Sequence, residues 1–151
     1  MSEVGFWTVF TGVVIPVITG IWYVRRNRKI DTFNKAAEKF RAAFHEELMF
    51  LDPVMTICPG DVHELLDAAF KKHRAAIEEF LPILHDLSSF DAGGLKSAWN
   101  EYHRIKEALD QHHNGLIQYA GQPVCGESEA KNRKLLAKHR IERVLYYAQN
   151  R

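Results

Sequence analysis

The chain has 151 residues, 46% of them hydrophobic and 26% charged, which is the length of one domain with an ordinary globular composition. Twenty Lys and Arg against nineteen Asp and Glu leave a formal net charge of +1, which excludes the strongly basic footprint of a nucleic-acid binder. Two cysteines, Cys58 and Cys125, are too few for a disulfide framework or a closed cysteine zinc site and read as free thiols.

The average hides two unlike parts. Val4 to Val24 contains no charged residue, and Arg25, Arg26, Arg28 and Lys29 follow at once. A helix rising about 1.5 Å per residue needs roughly 20 apolar residues to cross a hydrocarbon core about 30 Å thick. The stretch therefore predicts a transmembrane helix, with residues 1–29 as an N-terminal anchor. Phe6 and Trp7 at one end and Trp22 and Tyr23 at the other fall where amphipathic rings prefer the headgroup level. Pro16 is tolerated in such a span with a mild kink. No basic residue precedes the apolar region and no small-x-small site follows it, which argues against a cleaved leader. The basic cluster predicts an N-out, single-pass topology in the inner (plasma) membrane, with membrane lipid as one partner and residues 30–151 cytoplasmic.

Beyond the cluster, Phe33, Ala37, Phe40, Phe44, Leu48 and Leu51 recur at spacings of three and four, the stripe of an amphipathic helix over Asp31 to Leu51. No proline or glycine separates it from the apolar stretch, so the two are expected to form one long rod. Pro53 ends it. After the loop DPVMTICPG, Asp61 and Glu64 resemble a capping box, and Val62, Leu66, Phe70, His73, Ile77, Phe80 and Leu84 make a second stripe. Pro82 predicts a kink or stop near Phe80. SSFDAGG reads as a turn. Leu95, Ala98, Trp99, Tyr102, Ile105, Leu109 and His113 form a third stripe that Asn114-Gly115 closes. LIQYAGQPVCG reads as a connecting loop, and Ala137, Ile141, Val144 and Ala148 stripe a last helix from about Ser128 to Gln149. The fold expected is all-α, a transmembrane helix followed by a cytoplasmic four-helix bundle.

Eight histidines raise the question of a metal, and two of them interrupt apolar stripes. At about 100° per residue, His73 and His113 fall within their helices' apolar arcs and Glu47 lies near the first helix's line. If those arcs are buried together, Glu47, His73 and His113 converge as a divalent-metal or proton-transfer constellation. The bland alternative is that each satisfies itself with a local partner. A ferritin-like site needs Glu-x-x-His on two helices, and Asp110-x-x-His113 is the nearest approach. Cys58-Pro59 lacks any axial-ligand context for haem. Gly-rich phosphate loops, Gly-x-Ser-x-Gly elbows and His-Glu-x-x-His are absent from the sequence. Met49, Phe50, Val54, Met55 and Ile57 cluster around a helix end and loop, a possible docking surface if exposed.

The patterns Phe40-Arg41-x-Ala43-Phe44, Phe70-x-x-His73-x-x-Ala76-Ile77-x-x-Phe80 and Ala98-Trp99-x-x-Tyr102 resemble those of small bacterial proteins that begin with one membrane span and have no assigned activity. The resemblance covers about half the chain and implies a bacterial inner-membrane setting. The function expected is a non-catalytic accessory subunit or docking module of a membrane complex, with protein partners or further copies of itself and no cofactor. The alternative is a metal-binding enzyme or sensor built on Glu47, His73 and His113.

Overall fold

The apolar stripes find one another in a computed structural model that describes residues 15–52, 62–103, 116, 119 and 128–151. Among the described residues there are five helices and no strand. These are α1 (Ile15–Ala42), α2 (His45–Phe50), α3 (Val62–Leu87), α4 (Ser89–His103) and α5 (Ser128–Tyr146).

Helix α1 passes through the basic cluster without a break, as the expected rod requires, because nothing between Gly20 and Ala42 interrupts the backbone ladder. The rod ends earlier than expected. Ala43 N–H is shared between the Lys39 and Phe40 carbonyls, Phe44 N–H bonds Arg41 O at 3.1 Å, and α2 then restarts with Leu48 N–H on Phe44 O. That tightened turn needs neither proline nor glycine. Beyond it Glu47, not Leu48, takes the core position between Phe44 and Leu51. Glu47 is buried there, while Leu48 is only partly covered.

Two breakers do not break. Helix α3 continues through Pro82 to Leu87. Pro82 lies on the exposed face, so the Glu78 carbonyl that loses its donor is open to water, while Leu84 beyond it is fully buried. SSFDAGG is not a turn but the start of α4, with Ser88 the one non-helical residue between the two helices. Ser88 Oγ accepts the Asp91 N–H at 3.2 Å and Ser88 O accepts the Ala92 N–H at 3.1 Å. Ser88-x-x-Asp91 is a capping pair that overrides the glycines after it. Gly94 then has a packing role, since a Cβ there would lie 2.5 Å from the Tyr147 hydroxyl.

Side-chain pairs set the directions of the helices. Glu47–Lys72 and Phe33–Phe80 run the first arm antiparallel to α3, and His73–Tyr102, with only Ser88 between the helices, runs α3 antiparallel to α4. Arg143–Glu101, with Tyr147 over Gly94, runs α4 antiparallel to α5. The circuit closes where Asn34 exchanges two hydrogen bonds with the Arg151 backbone and Arg41 donates to the Ala148 carbonyl. The result is an up-down-up-down bundle of four arms, with α1 and α2 sharing the first. Phe33, Phe40 and Phe80 stack along its centre, with ring centroids 4.7 Å apart for Phe40 and Phe80. Each such pair adds about 0.5–1.5 kcal/mol to area burial. Leu116 and Tyr119, in the stretch read as a connecting loop, are buried in the same core.

Among the described residues no helix is long and apolar enough to cross a membrane. The expected span Val4 to Val24 begins outside the described residues, and its described part, Ile15 to Val24, rises only about 15 Å, half a hydrocarbon core. The tail of the third stripe, Ile105, Leu109 and His113, also lies outside the described residues.

Replacing Gly93, which faces open space, by alanine should stabilise the fold by about 0.5–1 kcal/mol, because an exposed helical glycine gains from a Cβ. Gly94→Ala should fall short of that gain because Tyr147 must move. Urea unfolding of both variants, alone and in a Tyr147→Ala background, checks this: the difference between them should close when Tyr147 is truncated.

Candidate functional site

Core position 47 carries a carboxylate, and the neighbouring arms answer it. Glu47 is 3% exposed and His73 0%. Lys72 Nζ reaches Glu47 Oε1 at 2.5 Å, and His73 Nε2 lies 3.1 Å from Oε2. The second contact has ion-pair distance but is off the axis of a hydrogen bond, so both buried atoms keep unused hydrogen-bonding capacity. On the other side of the ring, His73 Nδ1 and the buried Tyr102 hydroxyl are 3.0 Å apart. Phe44 stacks on the imidazole with centroids 4.0 Å apart, which fixes its plane. The arrangement that sets opposite partial charges face to face has Nε2–H toward the carboxylate and Nδ1 accepting from Tyr102.

Burial alone would push the Glu47 carboxyl up. The His73 ring and the Lys72 ammonium, both within 3.1 Å of the carboxylate, outweigh it and hold the group at about 2, well below the ordinary carboxylate value. Tyr102 moves the other way: burial, with the Tyr119 and Glu47 charges, keeps its hydroxyl protonated far above the usual phenol range. The chain of contacts goes on, since Tyr119 Oη donates to the Tyr102 carbonyl at 2.9 Å and Arg140 donates to Tyr119 Oη at 3.4 Å. Only Lys72 of the four central residues reaches the surface, with its side chain 42% exposed. It lines a groove of ≈ 440 Å³ between α1 and α3, whose floor includes Phe40, Ala76 and Phe80.

No protein-family model, curated protein or solved structure matches this chain. The resemblance drawn from the Phe40, Phe70 and Ala98 motifs therefore rests on those motifs alone.

Of the expected metal ligands, Glu47 and His73 do come together, and His113 lies outside the described residues. Among the described residues no group of three His, Cys, Asp or Glu is placed to hold a metal ion. Lys72 and Tyr102 flank the pair instead, and a cation at Glu47 would have to displace the Lys72 ammonium. Sequence reasoning missed both partners. Tyr102 did carry a signal, because a phenol in the middle of an apolar stripe needs a hydrogen-bond partner inside the core.

The other expected sites divide between the two ends of the first arm. Trp22, Tyr23, Arg25, Arg26, Arg28 and Lys29 are exposed on α1, with the Arg26 guanidinium 5.2 Å above the Trp22 ring. Trp7 lies outside the described residues. Met49 is half exposed and Phe50 partly buried on α2. Val54, Met55, Ile57, Cys58 and Cys125 lie outside the described residues. A second aromatic group, not foreseen, sets Phe70, Trp99 and His103 in near-parallel planes, with Phe70 and His103 centroids 4.4 Å apart. Burial, then the Arg74 charge, holds His103 below the ordinary histidine value.

Removing His73 takes away one of the two partners of the buried Glu47 carboxylate and leaves Lys72 alone to meet it, and breaking a buried pair of this kind costs up to about 3–5 kcal/mol. His73→Leu should therefore be strongly destabilised, and Glu47→Leu combined with His73→Leu should recover much of the loss; denaturant unfolding of the single and double variants measures the coupling.

Acid should probe the same pair. The unfolded chain binds a proton at Glu47 near pH 4.5 and the folded chain only near pH 2, so the unfolded state holds more protons between these values. Stability from this group is complete above about pH 4.5 and declines as pH falls toward 2, by on the order of 3 kcal/mol. The stability–pH slope in that window should flatten in Glu47→Gln.

Proposed function

We propose that this chain is a single-pass, membrane-anchored helical module whose cytoplasmic bundle serves without catalysis as an accessory or docking subunit of a membrane complex. One observation carries the reading. Val17, Ile18, Ile21, Trp22, Tyr23 and Val24 are all about half exposed or more on a helix that is continuous with the bundle, and they project from several sides of it. Apolar surface of that extent around a whole helix is covered by lipid or protein in a stable state. Arg25, Arg26, Arg28 and Lys29 follow, where a stop-transfer cluster on the cytoplasmic side belongs.

The non-catalytic part of the reading is supported by the closure of the polar network. Glu47, His73 and Tyr102 offer proton donors and acceptors, yet Glu47 is 3% exposed and the other two 0%, so no substrate atom can approach them without opening the bundle. Their arrangement fits a role in specifying the packing of the arms. The outer surface that remains for partners includes the α1–α3 groove and half-exposed Met49.

The full chain, expressed in a bacterium, should stay with the membrane pellet through alkaline carbonate washing, and a reporter fused after Arg151 should be active only on the cytoplasmic side. In mild detergent it should migrate with other membrane proteins or with further copies of itself. Recovery in the carbonate supernatant would overturn the anchor, and extraction as a lone monomer at native abundance would overturn the docking role.

A further inference from the structure

The end of the bundle from which α1 emerges carries a feature that the anchor alone does not use. Phe90, in the first turn of α4, is 87% exposed, whereas Leu81, Ile83, Leu84, Leu87 and Leu95 around the α3–α4 turn are buried or partly buried. Its position along the bundle follows from its neighbours. Arg28, Lys29 and Thr32 of α1 share a surface hollow with Ile83, Asp86 and Leu87 of α3. Because α3 runs antiparallel to α1, the α3–α4 turn at Ser88 and the first turn of α4 lie level with the basic cluster.

Helix rise gives the depth. Lys29 lies about 7.5 Å beyond Val24 along α1, and the headgroup layer is roughly 5–7 Å deep on each side of the hydrocarbon core. If the apolar surface of α1 ends at the hydrocarbon boundary, Phe90 meets the outer edge of the headgroups. Charge at this end suits an anionic surface. Asp91 is already paired with Arg151, which leaves Asp31 and Asp86 against four basic residues of the cluster.

Resting on the anchored reading above, we infer that the α3–α4 turn is a second membrane contact, in which Phe90 enters the interface of an anionic bilayer and the basic cluster holds the base of the bundle against it. The anchor then meets the membrane at two points rather than one, and the bundle cannot swing freely about α1. A protein partner covering Phe90 is the competing occupant. The four basic residues level with Phe90 favour the anionic bilayer over it.

The test places an environment-sensitive fluorophore at single cysteines of the full chain, with Cys58→Ser and Cys125→Ser, reconstituted into phosphatidylcholine vesicles with and without phosphatidylglycerol. Labels replace Ile18, Phe90 or Met49, the last at the far end of the first arm. With the anionic lipid, Phe90→Cys should give blue-shifted emission that spin-labelled lipid quenches, and the effect should weaken without phosphatidylglycerol. Ile18→Cys should be quenched in both vesicles and Met49→Cys in neither. Quenching at residue 18 with a water-like signal at residue 90 would overturn the second contact while leaving the anchor standing. Absence of quenching at residue 18 would overturn the anchor, and the second contact with it. A residue 90 label shielded in native membranes but water-exposed in vesicles assigns the surface to a protein and also overturns the lipid contact.

Discussion

The Glu47 carboxylate is the point at which the bundle cannot be assembled from apolar stripes alone. Buried charge costs several kcal/mol unless it is met by partners of good geometry. Here Lys72 meets one oxygen and His73 faces the other, so α3 must dock on α2 in one register. His73 passes the demand to Tyr102 on α4, and the Tyr102 carbonyl passes it to Tyr119 and so to Arg140 on α5. One polar chain thus touches all four arms. The phenylalanines around it tolerate small slides, since ring stacking varies gently with offset. The chain of polar contacts does not, because a slide of one helical turn moves each partner by about 5.4 Å.

The break between α1 and α2 belongs to the same demand. A straight helix would already aim Glu47 inward, but the tightened turn at Ala43–Phe44 lets Phe44 lie flat on the His73 ring before α2 restarts. Phe44 thereby shields the imidazole from above while Tyr102 meets it at the edge. The cost of the interrupted ladder is small, since the i→i+3 bonds of the turn satisfy the amides that the helix would otherwise have used.

What the sequence made legible was the periodic part. Phe33, Ala37, Phe40 and Phe44, then Leu66, His73, Ile77, Phe80 and Leu84, then Ala137, Ile141, Val144 and Ala148, are all core residues, because a 3.6-residue period identifies a buried face without knowing what it packs on. The failures occurred where a local preference opposed tertiary packing. Pro82 and the Gly93-Gly94 pair read as stops, yet burial of Leu84 on one side and the Ser88 cap on the other carried the helices through. Gly94 mattered for its missing side chain, and only the position of Tyr147 reveals this. The site was half legible for the same reason. Phase placed Glu47 and His73 on inward faces, but the identity of their partners depended on which arms became neighbours, and Lys72, one residue outside its stripe, gave no sign of turning back toward a carboxylate.

The two ends of the first arm now have separate physical assignments. Helix α1 spans about 42 Å, and its first third bears apolar side chains that the bundle does not cover, while burial begins at Phe33. The polar chain lies beyond the other end of α1, past the turn at Ala43–Phe44. A long unbroken helix transmits orientation, so the angle at which the apolar part of α1 is held sets the angle of the α1–α3 face. The turn after Ala42 limits how far that influence extends, because α2 takes its orientation from His73 and Lys72 and not from the helix before it. The register of α2 on α3 is thus set by Glu47 against Lys72 and His73, while that of α1 on α3 is set separately by Phe33 and Phe40 against Phe80.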